Sequence, residues 1–338
     1  MSKNINRSWT LNAHPVGVPQ LSDFRMIEQS IPEPLSREIL VEVHYHSLDP
    51  YMRGRMNPPN RTAYTKGISL GGVMEADAVG KVLLSNSEMF DVGDYVMGKI
   101  GWQEYGILDE KEARKVDSKV APPSTSLGIL GMPGLTAYYG LFEIGRPKAG
   151  DTLVVTAASG AVGAIVGQLG KISGCRVIGV AGSNEKTRYV LNELNFDACI
   201  NYKSEDVADR FNELCSGAID IYWDNVGGPV TDAAIDNIAI RGKAVVCGQI
   251  SNYNAVRMPQ GPRNIPRMLL SRRAVMEGFL VYQFRDRYAE GLLKLATWIQ
   301  EGLLKYKEDI IDGIENSPSA FIGLLQGSNF GKLLVKVK

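Results

Sequence analysis

The chain has 338 residues, and its 37 basic and 37 acidic side chains cancel to a formal net charge of zero at pH 7. That balance excludes bulk attraction to nucleic acid or to an anionic membrane surface, while the length allows two domains with separate cores. No uninterrupted apolar run is long enough to span a bilayer, and Met1-Ser2-Lys3-Asn4-Ile5-Asn6-Arg7 lacks the apolar centre of a secretion signal. The four cysteines (Cys175, Cys199, Cys215, Cys247) are scattered, which fits reduced thiols in a cytoplasmic protein better than a disulfide framework.

From Trp9 to about Leu127 the chain offers short apolar runs separated by Gly, Pro, Asn and Asp: Ile39–Tyr45, Gly80–Leu84 and Tyr95–Gly98. This spacing predicts an antiparallel β domain. A helix is expected from Leu130 to Leu141, with Pro133 in its first turn. Strands then alternate with helices. Strands are expected near Leu153–Thr156, Arg176–Val180, Ala198–Ile200, Ile219–Trp223, Lys243–Cys247 and Glu277–Val281, and helices over Glu185–Leu194, Asp206–Leu214, Val230–Ile238 and Tyr288–Gly302. Such alternation gives an α/β fold with a doubly wound parallel sheet, beside the N-terminal antiparallel domain. The closing run Phe330–Val337 is strand-like and is expected to return to the N-terminal domain. The expected division is 1–127 with 305–338 against 128–304.

The centre of the chain carries the sharpest chemical signal. The apolar run Leu153–Thr156 breaks into Ala157-Ala158-Ser159-Gly160-Ala161-Val162-Gly163 and then an apolar helical pattern. This is the strand–turn–helix setting that a dinucleotide fingerprint requires. Ala158 stands at the first glycine position, Gly160 lets backbone approach a pyrophosphate, and Gly163 lets the helix pack close to the strand. The helix N-terminus favours phosphate. An NAD site would end the second strand on an acid for the ribose 2′-hydroxyl. This chain has Ala181-Gly182-Ser183-Asn184-Glu185-Lys186 there, which favours NADPH. Ligands in such sheets lie beyond the carboxyl ends of the strands. Tyr202, Asn225, Gly248 and Ser251 are therefore candidate contacts, and Cys247 and Phe279 are further candidates.

On these residues the chain resembles the medium-chain dehydrogenase/reductase superfamily, and within it the zinc-independent leukotriene B4 12-hydroxydehydrogenase/prostaglandin reductase group. The carrying motifs are Asp49-Pro50-Tyr51-Met52-Arg53, Gly131–Tyr138, Ala157–Gly163, Asp224-Asn225-Val226-Gly227-Gly228, Cys247–Asn254 and Asn329-Phe330-Gly331-Lys332. Trp9, Asp49–Met56 and Gly101–Tyr105 look most like its bacterial NADPH-dependent curcumin reductase branch. The resemblance implies a GroES-like N-terminal catalytic domain, a Rossmann NADPH domain, a small-molecule enone substrate and reduction of its C=C bond. It implies Lys186 and Tyr202 at the 2′-phosphate, Asn225 and Asn329 toward the nicotinamide, Met132 and Thr136 near the cofactor, and Tyr51, Tyr64 and Tyr253 facing substrate. The stretch Gly71–Ala78 departs from the group's pattern, which carries glycines near Ala76 and Asp77.

No metal is expected. No cysteine precedes Cys175, the only histidines are His14, His44 and His46, and no C-x-x-C occurs. Without a Lewis acid, an enolate oxygen needs a hydroxyl donor; Tyr51, Tyr64 and Tyr253 are the candidates, and a ribose hydroxyl is the alternative. The proline-bearing segment Arg257–Arg267 is expected to cap the cleft or meet a partner subunit in a homodimer. The rival readings are a quinone reductase and a non-catalytic NADPH-binding protein.

Overall fold

A computed structural model describes residues 5–58, 67–215, 218–257 and 265–338. The chain divides into two compact units, one of residues 1–128, 308–329 and 333–338, the other of residues 129–307 and 330–332.

The first unit opens with β1 (Ile5–Leu11) and β2 (Phe24–Ser30), an antiparallel pair. Then come β3 (Glu38–Ser47), the single-turn α1 (Met52–Arg55), β4 (Asp77–Ser85), β5 (Tyr95–Lys99), β6 (Tyr105–Asp109) and β7 (Arg114–Lys115). β3 is the hub, pairing antiparallel with both β4 and β6, and β4 with β5. Alternation along β3 explains the two-sided packing: Ile39, Val41 and Val43 fill one core with Ala78, Val82 and Val96. A second core gathers Trp102, Phe24 and Phe321, with the Phe24 ring stacked 5.7 Å from Trp102.

The second unit begins with α2 (Met132–Tyr139), which passes into a π-helical stretch at Gly140–Gly145. It continues through β8 (Thr152–Thr156), α3 (Gly163–Ile172), β9 (Arg176–Ala181), α4 (Asn184–Asn192), β10 (Ala198–Asn201), α5 (Val207–Cys215) and β11 (Ile219–Asp224). α6 (Pro229–Asp236), β12 (Ile238–Val246), α7 (Ile265–Arg272), β13 (Val275–Gly278) and α8 (Tyr288–Gln300) complete it. The sheet runs β10-β9-β8-β11-β12-β13 and is parallel throughout. Strand order reverses between β8 and β11, the switch point at which such sheets bind ligands. β8 is buried at every position, as a strand covered on both faces must be.

The chain returns to the first unit as β14 (Glu308–Asp312), α9 (Ser317–Leu325) and β15 (Lys332–Lys336), and β15 pairs with β3 through Leu334–Ser47 and Val335–His46. The closing run therefore joins the N-terminal sheet, as its pattern predicts.

Two expectations need correction. The sixth strand is Val275–Gly278 rather than Glu277–Val281, because β12 pairs Lys243 with Val275 and Val246 with Gly278. Phe279 leaves the sheet and packs edge-on against Trp223 at 5.8 Å. The expected helix through Ile238 stops at Asp236, and Ile238 opens β12 by pairing with Ile219. A register shift follows, with Arg241 at φ 64°.

Candidate functional site

The turn after β8 is built by close approach. Ala157 takes the left-handed conformation, φ 50°, and its carbonyl accepts the Gly160 N–H at 2.9 Å. Ala158, at the first glycine position, is fully buried and donates its N–H to Val180 O at 3.0 Å. Its methyl group is tolerated because the neighbouring strand is bare there: a Cβ on Gly179 would lie 2.8 Å from the Ala158 Cβ. Gly163 has no such freedom. A Cβ there would sit 2.3 Å from Ala157 O, so only glycine lets α3 start this close to β8. Ala161 and Val162 complete the turn, and Gly160 bridges in parallel to Gly331, which belongs to the same unit.

The next strand end gives the second part. Ser183 caps α4, its Oγ accepting the Lys186 N–H at 3.2 Å. Tyr202, just past β10, lays its ring over Gly182: a Cβ there would be 3.0 Å from the tyrosine hydroxyl oxygen. Gly182, Ser183, Lys186 and Tyr202 thus share one edge of the sheet, with no carboxylate at the end of β9.

The third part lies at β11 and β12. The Asn225 carboxamide is held at both ends, its Nδ2 donating to Thr156 O at 2.6 Å and its Oδ1 accepting from Trp223 Nε1 at 3.1 Å. Its backbone N–H donates to Thr156 Oγ1 at 2.8 Å. Ser251 donates through Oγ to Val226 O at 2.5 Å. A Cβ on Gly248 would meet the Tyr253 hydroxyl at 3.2 Å, so these two also lie together. Burial pushes the Cys247 thiol up to about 12, with the Asp224 carboxylate acting in the same direction. Cys247 is therefore a neutral side chain at the strand end.

On α2, the Thr136 hydroxyl donates back to Met132 O at 2.7 Å and lies 3.6 Å from the Met132 sulfur. Asn329 and Tyr51 belong to the first unit. Tyr51 directly precedes α1, and the Arg55 guanidinium lies 5.9 Å from its ring centroid. Tyr64 and residues 258–264 of the proline-bearing segment lie outside the described residues. The departing stretch, through Val73 and Glu75, lines a cavity of about 240 Å³ with Arg55 and Lys99, where Arg55 Nε and Glu75 Oε2 are 3.5 Å apart. Sequence reasoning missed Thr156, Trp223 and Asp224 as organisers of the turn. Their pairing across strands leaves no mark in a linear pattern.

The bare backbone at Gly160 and Gly163, the helix start behind it and the acid-free Gly182 edge make a cradle that fits a dinucleotide phosphate carrying an extra 2′-phosphate. Comparisons agree with this geometry. Residues 7–116 match a family model for the N-terminal domain of oxidoreductases, and residues 161–298 match one described as zinc-binding dehydrogenase. The chain is 43% identical to the NADPH-dependent curcumin reductase of Escherichia coli (strain K12), over 99% of this chain and 98% of that protein. The chain belongs to the zinc-independent reductase group of the medium-chain dehydrogenase/reductase superfamily. Other members of this group are similar along their full length. The 2-alkenal reductase (NADP(+)-dependent) of Nicotiana tabacum is 39% identical, covering 98% of this chain and 97% of the relative. The crystal structure of CurA in complex with NADPH from Vibrio vulnificus superposes with a TM-score of 0.93 at 42% identity, covering 98% and 99% of the two chains. Although one matching model is described as zinc-binding, no group of three or more His, Cys, Asp or Glu is placed to hold a metal among the described residues.

Proposed function

We propose that this member of the reductase group reduces the C=C bond of α,β-unsaturated carbonyl compounds with NADPH. The observation that supports the cofactor choice is the acid-free end of β9 at Gly182, with the Tyr202 hydroxyl packed over it. NADPH, when bound, supplies hydride to the β-carbon of the conjugated alkene. The chain's own part is to hold the carbonyl oxygen as it gains charge and to return a proton to the α-carbon. A tyrosine hydroxyl suits the first task, being a good donor at neutral pH with a free pKa of roughly 10. Tyr253, beside Gly248, and Tyr51, at the start of α1, are the described candidates. Tyr64 completes the set.

In this reading the second unit binds NADPH and the first contributes substrate contacts. Lys186 and Tyr202 meet the 2′-phosphate; Asn225, Asn329, Met132 and Thr136 lie toward the nicotinamide. We also read the protein as a cytoplasmic homodimer. Support for the dimer is the edge strand β13, where Val275 is 52% exposed and the nearby Leu280 and Tyr282 are each 40% exposed. Among the described residues no helix is long and apolar enough to cross a membrane.

The deciding experiment is product analysis by NMR after incubation with NADPH and an enone. A saturated ketone is the expected product. An allylic alcohol would make the site a carbonyl reductase, and NADPH binding without turnover on enones, quinones and aldehydes would make the protein a non-catalytic binder. Sedimentation velocity at micromolar concentration reads the dimer.

A further inference from the structure

The carboxyl ends of β11 and β12 are joined through one residue, Asp224. Asp224, 1% exposed, ends β11. Its Oδ1 accepts the backbone N–H of Val226 at 2.9 Å and of Gly227 at 2.8 Å. The Tyr222 hydroxyl donates to Oδ1 at 3.2 Å and the Thr231 hydroxyl to Oδ2 at 2.7 Å; the two hydroxyls are 3.0 Å apart. Burial holds the Tyr222 hydroxyl well above its ordinary range, so it remains a donor. The Asp224 carbonyl meanwhile accepts the N–H groups of both Cys247 and Gly248, at 2.8 and 3.0 Å, from the turn after β12. That turn is stitched back again, Ile250 N–H to Asn225 O at 3.2 Å and Ser251 N–H to Val226 O at 3.1 Å.

A buried carboxylate is costly unless its lone pairs are filled. Here four donors fill them, and two of the donors are the backbone of the turn itself. That turn holds Gly227 and Gly228 at positive φ, 75° and 69°, a conformation with little intrinsic preference to persist unaided. An acceptor that fixes it sets where Asn225 and Val226 stand, and through the Asp224 carbonyl it sets Cys247 and Gly248 as well.

We infer that Asp224 is a positioning residue, a buried brace that makes the Asn225–Gly228 turn and the Cys247–Ser251 turn behave as one rigid wall. This rests on the reading that this end of the sheet receives the nicotinamide. The brace touches no reacting atom; it acts by keeping the hydride donor and acceptor in register, where a misplacement of about 1 Å costs about 100-fold.

The test uses the full-length protein. In Asp224→Ala, amide hydrogen exchange followed by mass spectrometry should accelerate about 10-fold or more in both turns, including Cys247 and Gly248, whose partner is the Asp224 carbonyl rather than the deleted side chain. Asp224→Asn keeps an oxygen for Val226 and Gly227, and Thr231 can reverse its hydroxyl to accept the new amide. It should exchange within about 3-fold of wild type. At saturating NADPH and enone, kcat of Asp224→Ala per NADPH-binding site should fall about 10- to 100-fold while KM for NADPH moves less than about 3-fold. Wild-type exchange at Cys247 and Gly248 in Asp224→Ala would overturn the brace, as would unchanged kcat per binding site or equal losses in kcat and NADPH affinity. If Asp224→Ala does not fold, Thr231→Val removes the Oδ2 donor together with the hydroxyl contact to Tyr222, and is read by the same exchange and kinetic criteria. A wild-type protein inactive on enones would sink the proposed reaction alone, because the exchange coupling is measured without substrate.

Discussion

Tyr202 lies over Gly182 so closely that a Cβ on the glycine would stand 3.0 Å from the tyrosine hydroxyl and 3.0 Å from the ring edge. Twenty positions separate the two residues, and the contact exists only because β9 and β10 run parallel with Asn201 paired to Ala181. The bare glycine leaves the end of β9 without the acid of an NAD site and seats the Tyr202 hydroxyl, which the proposed function assigns to the 2′-phosphate.

Gly182→Asp tests that seat. The new side chain would displace the Tyr202 ring and place a negative charge beside a 2′-phosphate, and like charges within a Debye length repel. Steady-state kinetics should show KM for NADPH rising about 10-fold or more while NADH improves. A variant that still prefers NADPH as strongly as wild type would detach cofactor choice from this turn.

In the proposed site Lys186 supplies the charge. A hydrogen bond from a charged group to a phosphate contributes about 1.5–3 kcal/mol, one to two decades in affinity. Lys186→Ala should raise KM for NADPH about 10- to 100-fold, barely move that for NADH, and leave kcat at saturation nearly unchanged. Added salt should weaken NADPH binding more in wild type than in the variant.

Gly163 tests the strand–helix approach. An alanine Cβ would meet Ala157 O at 2.3 Å and Thr156 O at 3.1 Å, both backbone atoms, so the start of α3 must move. Overpacking of this kind costs about 1–3 kcal/mol, or roughly 2–4 °C of Tm per kcal/mol. Calorimetry of Gly163→Ala should show that loss together with weakened NADPH binding. An alanine variant with wild-type Tm and affinity would mean that the turn relaxes freely.

The thiols set a pH dependence. Burial raises Cys175 and Cys215 to about 11 and Cys199 and Cys247 to about 12, against 9.0 for a free thiol. The folded state therefore holds protons that the unfolded state releases above pH 9. The stabilisation is complete below that pH and is lost as pH rises toward 11–12. Tm measured across pH 8–11 should fall above about pH 9, and Cys199→Ala should flatten part of the slope. Iodoacetamide at pH 8 should leave all four thiols unlabelled in the native protein, because little thiolate is present.

Much of this was already written in the linear chain. The apolar run of β8, the small-residue turn and the helical pattern of α3 are local, so their period and residue chemistry reveal a strand–turn–helix. The missing acid at Gly182 is likewise a one-residue fact. What the tertiary structure decided is which distant groups meet. The left-handed residue of the turn is Ala157 rather than the residue at the first glycine position, because Ala158 spends its N–H on Val180 and packs its methyl against a bare Gly179. β13 ends at Gly278, where pairing with Val246 stops, so Phe279 turns away to Trp223. Asp224 looks in sequence like one acid of a motif; only burial, and the donors that burial obliges it to find, make it the joint between two turns. Periodicity records which face of an element is apolar. Register and desolvation, which belong to the assembled sheet, record which partners a polar group must have.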